Sequence, residues 1–450
     1  MMRNVLIICE HIAPAQGMAS IRWTKLAKYL SMTGRYRIFV LTNEKDHDGD
    51  RQPANHYPRD PLLQSDMRCF DQYHAVPETR ALRWYYAMKQ RVMGGTNVQP
   101  GVQRSTSGSN GLLRRIRHAV LESSHDAKDR LQRKAVERYI DRHPELRQVD
   151  VVISSFGPAW PHLVGRRMKQ MNPRLIWIAD YRDPCYTQLT PTILRRRRKR
   201  FAAIQTGEAN RITAVSAEML PLLHLSQRQQ AVAVPNGFDP SEAEAPKPPP
   251  SFSLLYTGTL YTDGAHFSDL SPAFSALKAL IDEGCIRKED ISLQYAGNKG
   301  DLFMAQASAH GLAECVRDFG FLPRDAAMSL RREAAILLMA TWNTQVEQGV
   351  VTGKTYEYML SHKPILAVCS GDRPGSKLKE IITRGELGFC YEEPTAAQDT
   401  PALKEWLGRM YASWKENGSA AFSPNEEYVR QFGYDRIAGQ VDRIIDGEVE

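Results

Sequence analysis

The stretch Gln345–Leu366, QVEQGVVTGKTYEYMLSHKPIL, reads as a loop that turns into a helix and then a strand. Gly349 and Gly353 keep the backbone open at the helix start, where bare N–H groups and the helix dipole favour an anionic group. Lys354, Glu357 and Tyr358 fall on the first turns, and Lys354 and Glu357, three apart, share a face. A carboxylate one turn into such a helix can accept two hydroxyls of a ribose. Pro364 is expected to stop the helix, and Ile365–Val368 resumes as a buried strand. An ordinary amphipathic helix with a surface Lys–Glu pair has the same spacing, so the stretch needs support from the rest of the chain.

Outward from this stretch the chain alternates strands and helices. Val5–Ile8, Arg37–Thr42, Asp150–Ser154, Leu175–Ala179, Ile212–Ser216 and Ala231–Asp239 read as the strands of a first parallel sheet, with Ser20–Leu30 as the first crossover helix. Ala243–Pro250 is a proline-rich connector. Beyond it, Phe252–Leu260, Ile291–Gly297, Val316–Gly320 and Ala334–Ala340 read as strands, and 270–281 and 324–331 as helices. Residues 395–417 are predicted helical, and a last helix is expected from about Pro424 to Asp446. From Glu44 to Gly111 periodicity is poor. Residues 84–86 fit a short helix, and 94–111 is polar and rich in Gly and Ser. Residues 112–140 support one or two amphipathic helices with a basic face.

The chain is 450 residues long, enough for two domains with separate cores. Its composition, 42% hydrophobic and 24% charged, is that of a globular protein, and no apolar run reaches the roughly 20 residues of a membrane span. The opening MMRNVLIICEHIAP reads as a first strand and not a signal peptide. Seven scattered cysteines without C-x-x-C spacing argue against a disulfide framework or zinc site and suit a reducing cytoplasm. The net charge of +8 is concentrated in 113–148 and in Arg195–Arg200, RRRRKR. Each basic stretch is either a solvated helix face or a surface for an anionic membrane. No aromatic platform accompanies the charge, which argues against nucleic acid.

The 345–366 stretch resembles the donor-nucleotide motif of family 4 glycosyltransferases: a Gly-rich turn, a helix reading roughly G-K-x-x-E-Y, then K-P-I-L. The pairing of Gly157-Pro158 and His162 with the run Asp180–Pro184 (DYRDP), and the run Pro235–Asp239 (PNGFD), also look like this family. The resemblance implies an α/β GT-B fold, two Rossmann-like domains with parallel sheets facing across a cleft. It places an acceptor domain at 1–235, completed by a C-terminal helix at 426–450, and a nucleotide-sugar donor domain at 236–425. It implies a retaining transfer from a UDP- or GDP-sugar to a glycan or lipid-linked acceptor, without a bound metal or cofactor, in bacterial surface polysaccharide synthesis at the inner membrane. Carried over residue by residue, Glu357 holds the ribose, with Lys354, Gly349, Gly353 and Gly258 around the donor. Gly17, Arg22 and Arg182 line the acceptor side, and Asp183 and His162 are the candidates for acceptor orientation or transition-state charge work.

The chain departs from the family pattern in two places. Gly349 stands where an earlier glutamate is usual, with Glu347 two residues upstream, and Thr259–Ala265 lacks the usual Arg and Lys. The missing charge is expected from Lys354, the amides near Gly349 and Arg22. Two other readings share the architecture: a nucleotide-sugar 2-epimerase, and a non-catalytic partner of a synthesis complex.

Overall fold

The computed structural model describes residues 2–45, 47, 58–93, 111–186, 190, 192–223, 231–262, 268–345 and 347–448. Of the expected polar segment at 94–111, residues 94–110 lie outside them, as do the side chains of 111–125. The chain forms two compact units, residues 1–236 with 434–450, and residues 237–433.

In the first unit the strands are β1 Arg3–Ile8, β2 Tyr36–Asn43, β3 Gln72–Val76, β4 Val151–Phe156, β5 Ile176–Tyr181, β6 Arg211–Ala214 and β7 Ala231–Ala233. They form one sheet in the order β3-β2-β1-β4-β5-β6-β7, every pair parallel. The order reverses at β1, which lies between β2 and β4, and ligand sites of open parallel sheets gather at the carboxyl ends of strands beside such a reversal. The helices are α1 Met18–Met32, α2 Pro61–Asp66, α3 Arg80–Met93, α4 Gly111–Arg142, α5 Trp160–Met171 and α6 Thr192–Glu208. The two-residue period of β1 sends Val5 and Ile7 to one face and Leu6 and Ile8 to the other, and all four are fully buried. Each such side chain contributes about 1.5–3 kcal/mol of burial.

The second unit repeats the plan. Its strands β8 Phe252–Thr257, β9 Ile291–Ala296, β10 Val316–Asp318, β11 Ile336–Trp342, β12 Ile365–Ser370 and β13 Gly388–Glu392 form a parallel sheet in the order β10-β9-β8-β11-β12-β13. Its helices are α7 Ser271–Asp282, α8 Gly300–Ala309, α9 Arg324–Arg332, α10 Gly353–Leu360, α11 Lys377–Arg384, α12 Ala396–Asn417 and α13 Glu426–Arg430. Along β11, Ile336, Leu338 and Ala340 enter one core layer and Leu337 and Met339 the other.

The single helix expected from Pro424 to Asp446 is two. α13 ends at Arg430, and α14, Tyr434–Asp446, belongs to the first unit. There Ile437, Val441 and Ile444 share one stripe and pack with Ile21, Leu26 and Leu30 of α1, while Arg35 pairs with Asp442 and Asp446 at 2.5 Å each. The helix of the 345–366 stretch stops at Leu360, before Pro364. Ser361 caps it, and His362 follows with φ +49, in the left-handed region. Residues 111–142 form one helix.

Candidate functional site

In the second unit, Lys354 and Glu357 leave the first turn of α10 toward neighbouring elements. Gly258 follows β8 with φ +104, and a Cβ built there would lie 2.7 Å from Lys354 Cε. The lysine fills the space that a side chain would need. Its Nζ donates to Tyr256 Oη at 2.6 Å and to Thr259 O at 3.2 Å, and it sits 4.2 Å from the centroid of the Tyr256 ring. Burial pushes the ammonium down to about 7, against the favourable field of Glu357. Behind it, Tyr295 Oη donates to Gly258 O (2.9 Å) and receives the Lys299 amide (3.0 Å), which fixes the turn on which the lysine rests. Tyr358 locks α10 to the sheet: its hydroxyl donates to Leu338 O at 3.0 Å and accepts from Thr257 N at 3.1 Å.

Glu357 meets α9. Its Oε2 is 3.0 Å from Arg331 Nη1 and its Oε1 is 3.8 Å from Arg324 Nε. The carboxylate keeps 15% side-chain exposure, so it is held in place without being walled in. Arg324 also grips Glu242, with Nη2 at 2.6 Å from Oε2. Sequence reasoning passed over these arginines, although their spacing of seven, two helical turns, puts both on one face of α9. Gly349, with φ +69, shapes the loop before α10, and Gly353 begins the helix after Thr352, whose side chain makes no capping bond. Glu347, two residues before Gly349, accepts from Trp342 Nε1 at 3.0 Å.

In the first unit the two motif loops meet. Arg182 Nη2 donates to Asp183 Oδ2 (2.9 Å) and to Gly157 O (3.0 Å). Gly157 has φ +98, and a Cβ there would lie 2.6 Å from Asp183 Oδ2 and 2.7 Å from Arg182 Nη2, so the close approach needs glycine. Asp183 is exposed. His162 stands apart from that pair, fully buried in α5. Ser154 Oγ accepts from Trp177 Nε1 (2.9 Å) and lies 2.8 Å from His162 Nδ1, and the ring packs edge-on against Tyr181. Burial takes the imidazole down to about 3, which keeps it neutral.

Arg22 is likewise inside and not on an acceptor surface. Its guanidinium makes a fork to Asp180, Nη2 to Oδ1 at 2.8 Å and Nε to Oδ2 at 3.2 Å, and also donates to Val234 O and Pro235 O. Asp180 receives Trp23 Nε1 and Thr213 Oγ1 at 2.8 Å each. The Arg22 charge is thereby paired with Asp180 inside the first unit. Gly17, with φ +129, is the N-cap of α1, and no atom lies within 4 Å of a Cβ placed there.

At the carboxyl end of β1 a charged cluster escaped sequence reasoning. Glu10 is buried, with Oε1 2.6 Å from Lys128 Nζ and Oε2 receiving Trp160 Nε1 at 2.8 Å. Burial pushes Glu10 up, but Lys128, Lys45 and His11 bring it down to about 2. Asp129, beside it on α4, is raised to about 7 by burial and by the Glu10 charge. Its Oδ2 accepts from Ala159 N (3.2 Å), before α5. Of the basic run at 195–200, Arg197 and Arg198 approach Asp126 of α4 at 3.5 and 3.8 Å, while Arg196, Arg197 and Arg200 are exposed. Among the described residues no helix is long and apolar enough to cross a membrane.

No family model matches the chain, and no curated protein matches it. Its fold is similar to solved structures at low identity. These include the N-terminal domain of a trehalose-6-phosphate phosphatase from Candida albicans, with TM-score 0.61 and 9% identity over 100% of this chain and 98% of that one. A sucrose-phosphate synthase from Thermosynechococcus elongatus gives TM-score 0.58 and 13% identity over 99% and 98%. The lipopolysaccharide outer core galactosyltransferase WaaB, in its apo form, gives 0.53 and 12% over 99% and 100%. The two parallel sheets with their flanking helices are the α/β architecture of the GT-B fold.

Proposed function

We propose that the protein is a nucleotide-sugar-dependent glycosyltransferase whose second unit, residues 237–433, holds the donor. One observation carries this reading: Lys354 lies over the glycine turn after β8, and Glu357, three residues on, presents a carboxylate that is oriented and still reachable. In this reading Lys354 and the first amides of α10 face the diphosphate, and Glu357 takes the ribose hydroxyls. Arg331 and Arg324 hold the Glu357 carboxylate pointed, which offsets part of the entropy of ordering it on binding. The lysine supplies the charge that the sequence Thr259–Ala265 lacks. The work asked of such a site is positioning and electrostatic support of a departing diphosphate, which needs no covalent step by the protein.

The finer reading is a family 4 type enzyme that moves a sugar, a hexose with retention, from a UDP- or GDP-sugar to a glycan or lipid-linked acceptor in surface polysaccharide synthesis. Support comes from the motif residues, and from similar structures that include a lipopolysaccharide galactosyltransferase and a sucrose-phosphate synthase. In the first unit the exposed Asp183, held by Arg182, is the candidate acceptor-orienting group. The exposed arginines of α6 support peripheral attachment to an anionic bilayer.

The test is a thermal-shift screen of nucleoside diphosphates and their sugars, followed by incubation of the stabilising donor with and without candidate acceptors. Release of the nucleoside diphosphate with transfer to an acceptor supports the proposal. Conversion of the donor to its 2-epimer without acceptor replaces it with an isomerase, and failure to bind any nucleotide removes it.

A further inference from the structure

Away from the residues discussed so far, the first unit brings two imidazoles and a carboxylate together. His74 lies in β3, the edge strand of the sheet. His143 follows the last turn of α4, and Glu145 sits in the short turn after it. One ligand atom from each of His74, His143 and Glu145 lies within 4.8 Å of the other two, and all three residues are half-buried.

The hydrogen bonds around the rings favour the forms that bind a metal. His143 Nδ1 donates to the backbone carbonyl of Tyr139 at 2.8 Å, which leaves the Nε2 lone pair bare. Its ring is stacked on Tyr139 with centroids 3.9 Å apart and planes 14° apart, so it has little freedom to turn. His74 Nε2 is 3.0 Å from Gln72 Oε1 and so carries the proton, while Nδ1 faces the Tyr139 hydroxyl at 3.2 Å. Both rings are thus held by groups outside the triad, as metal-ligating histidines usually are.

We propose that His74, His143 and Glu145 bind a divalent transition metal ion of the zinc class and thereby pin the edge strand β3 to the end of α4. Two imidazoles and one carboxylate suit zinc, cobalt or nickel and not magnesium or calcium, which prefer all-oxygen sets. Tetrahedral ligation places ligand atoms roughly 3.3 Å apart, so binding draws the three side chains together and costs His74 its bond to the Tyr139 hydroxyl. Three protein ligands leave a fourth position for water. The site stands independently of the proposed transferase activity.

The untagged full chain, stripped with a chelator and dialysed, is titrated with zinc chloride by calorimetry, and with cobalt(II) while visible absorption is followed. The expected result is one ion per chain, a cobalt spectrum of tetrahedral or five-coordinate type, and a melting temperature that rises with zinc. His74→Gln, His143→Asn and Glu145→Gln should each weaken zinc binding by at least about tenfold while melting like the unsubstituted chain in chelator. A chain that takes up no zinc and gives no cobalt band overturns the proposal, whatever the variants do. Zinc bound equally well by His143→Asn and Glu145→Gln overturns it as well.

Discussion

Lys354 lies across Gly258: a Cβ on the glycine would meet the lysine Cε at 2.7 Å, and the lysine Nζ reaches Tyr256 Oη and Thr259 O beyond it. The strand-end turn and the helix start are therefore one device, with the charge supplied from α10 and the room from β8. Gly258→Ala adds a methyl where φ is +104 and displaces the lysine. The expected outcome is a stability loss of about 1–3 kcal/mol and nucleoside-diphosphate binding weakened by at least about tenfold, comparable to hydrogen bonds between charged groups. Chemical denaturation and calorimetry read the two effects separately.

In the proposed donor site the lysine is expected to make binding depend on pH. With its ammonium pushed down to about 7, the cation proposed to face the diphosphate is nearly complete at pH 6, half lost at pH 7 and almost gone by pH 9. Affinity for a nucleotide-sugar, whose diphosphate diester does not titrate near neutrality, should weaken as pH rises from 6 to 9, approaching tenfold per unit in the upper part of that range. Lys354→Arg keeps the charge throughout. It should flatten the profile even if it lowers the overall affinity.

The Arg22–Asp180 fork is expected to matter for folding. Both groups are buried, and Asp180 is held below its ordinary range by Arg22 and its other donors against the opposing effect of burial. Removing one partner strands the other charge, so Asp180→Asn and Arg22→Met should each cost about 3–5 kcal/mol. In urea unfolding the double variant should lose less than the sum of the two. Folded variants should bind nucleotide like the unsubstituted chain.

His162 gives an acid-side signature. Its folded value of about 3 lies below the usual 6.5, so between those values the unfolded chain takes a proton that the folded chain refuses. Native stability contributed at this position is fully present above pH 6.5 and falls as pH drops through that window. The slope is at most about 1.36 kcal/mol per unit. Between pH 6.5 and 4.5 the unsubstituted chain should therefore lose roughly 2–3 kcal/mol relative to His162→Asn, measured by denaturant titration at each pH.

The sequence displays the strands of both sheets best where burial is two-sided. Val5–Ile8 and Ile336–Ala340 are apolar runs because each neighbouring face has a helix on it. β3 (QYHAV) hides because an edge strand buries little: only Val76 of its residues is fully inside. α8 and α11 escaped notice as well, and β13, another edge strand, begins with two half-buried residues. At the site, Lys354 and Glu357 are legible because helical spacing places them on one face. The partners of Glu357 were open to the same reasoning through the seven-residue spacing of Arg324 and Arg331. The Glu10 cluster was not, because its hydrogen bonds join residues 118 and 150 positions apart, which only the tertiary fold brings together. Arg22 shows the opposite case: a basic residue on a helix after a glycine looks like a phosphate ligand, and only the position of Asp180 reveals that its charge is already spent.

The most direct measurement compares the binding of a ribonucleoside diphosphate with that of its 2′-deoxy analogue, in the unsubstituted chain and in Glu357→Ala. If the Glu357 carboxylate accepts the ribose hydroxyls, loss of the 2′-hydroxyl weakens binding by about 10–100-fold in the unsubstituted chain and by little in the variant. Equal affinity for the two nucleotides in the unsubstituted chain, or the same discrimination in Glu357→Ala, would contradict the account.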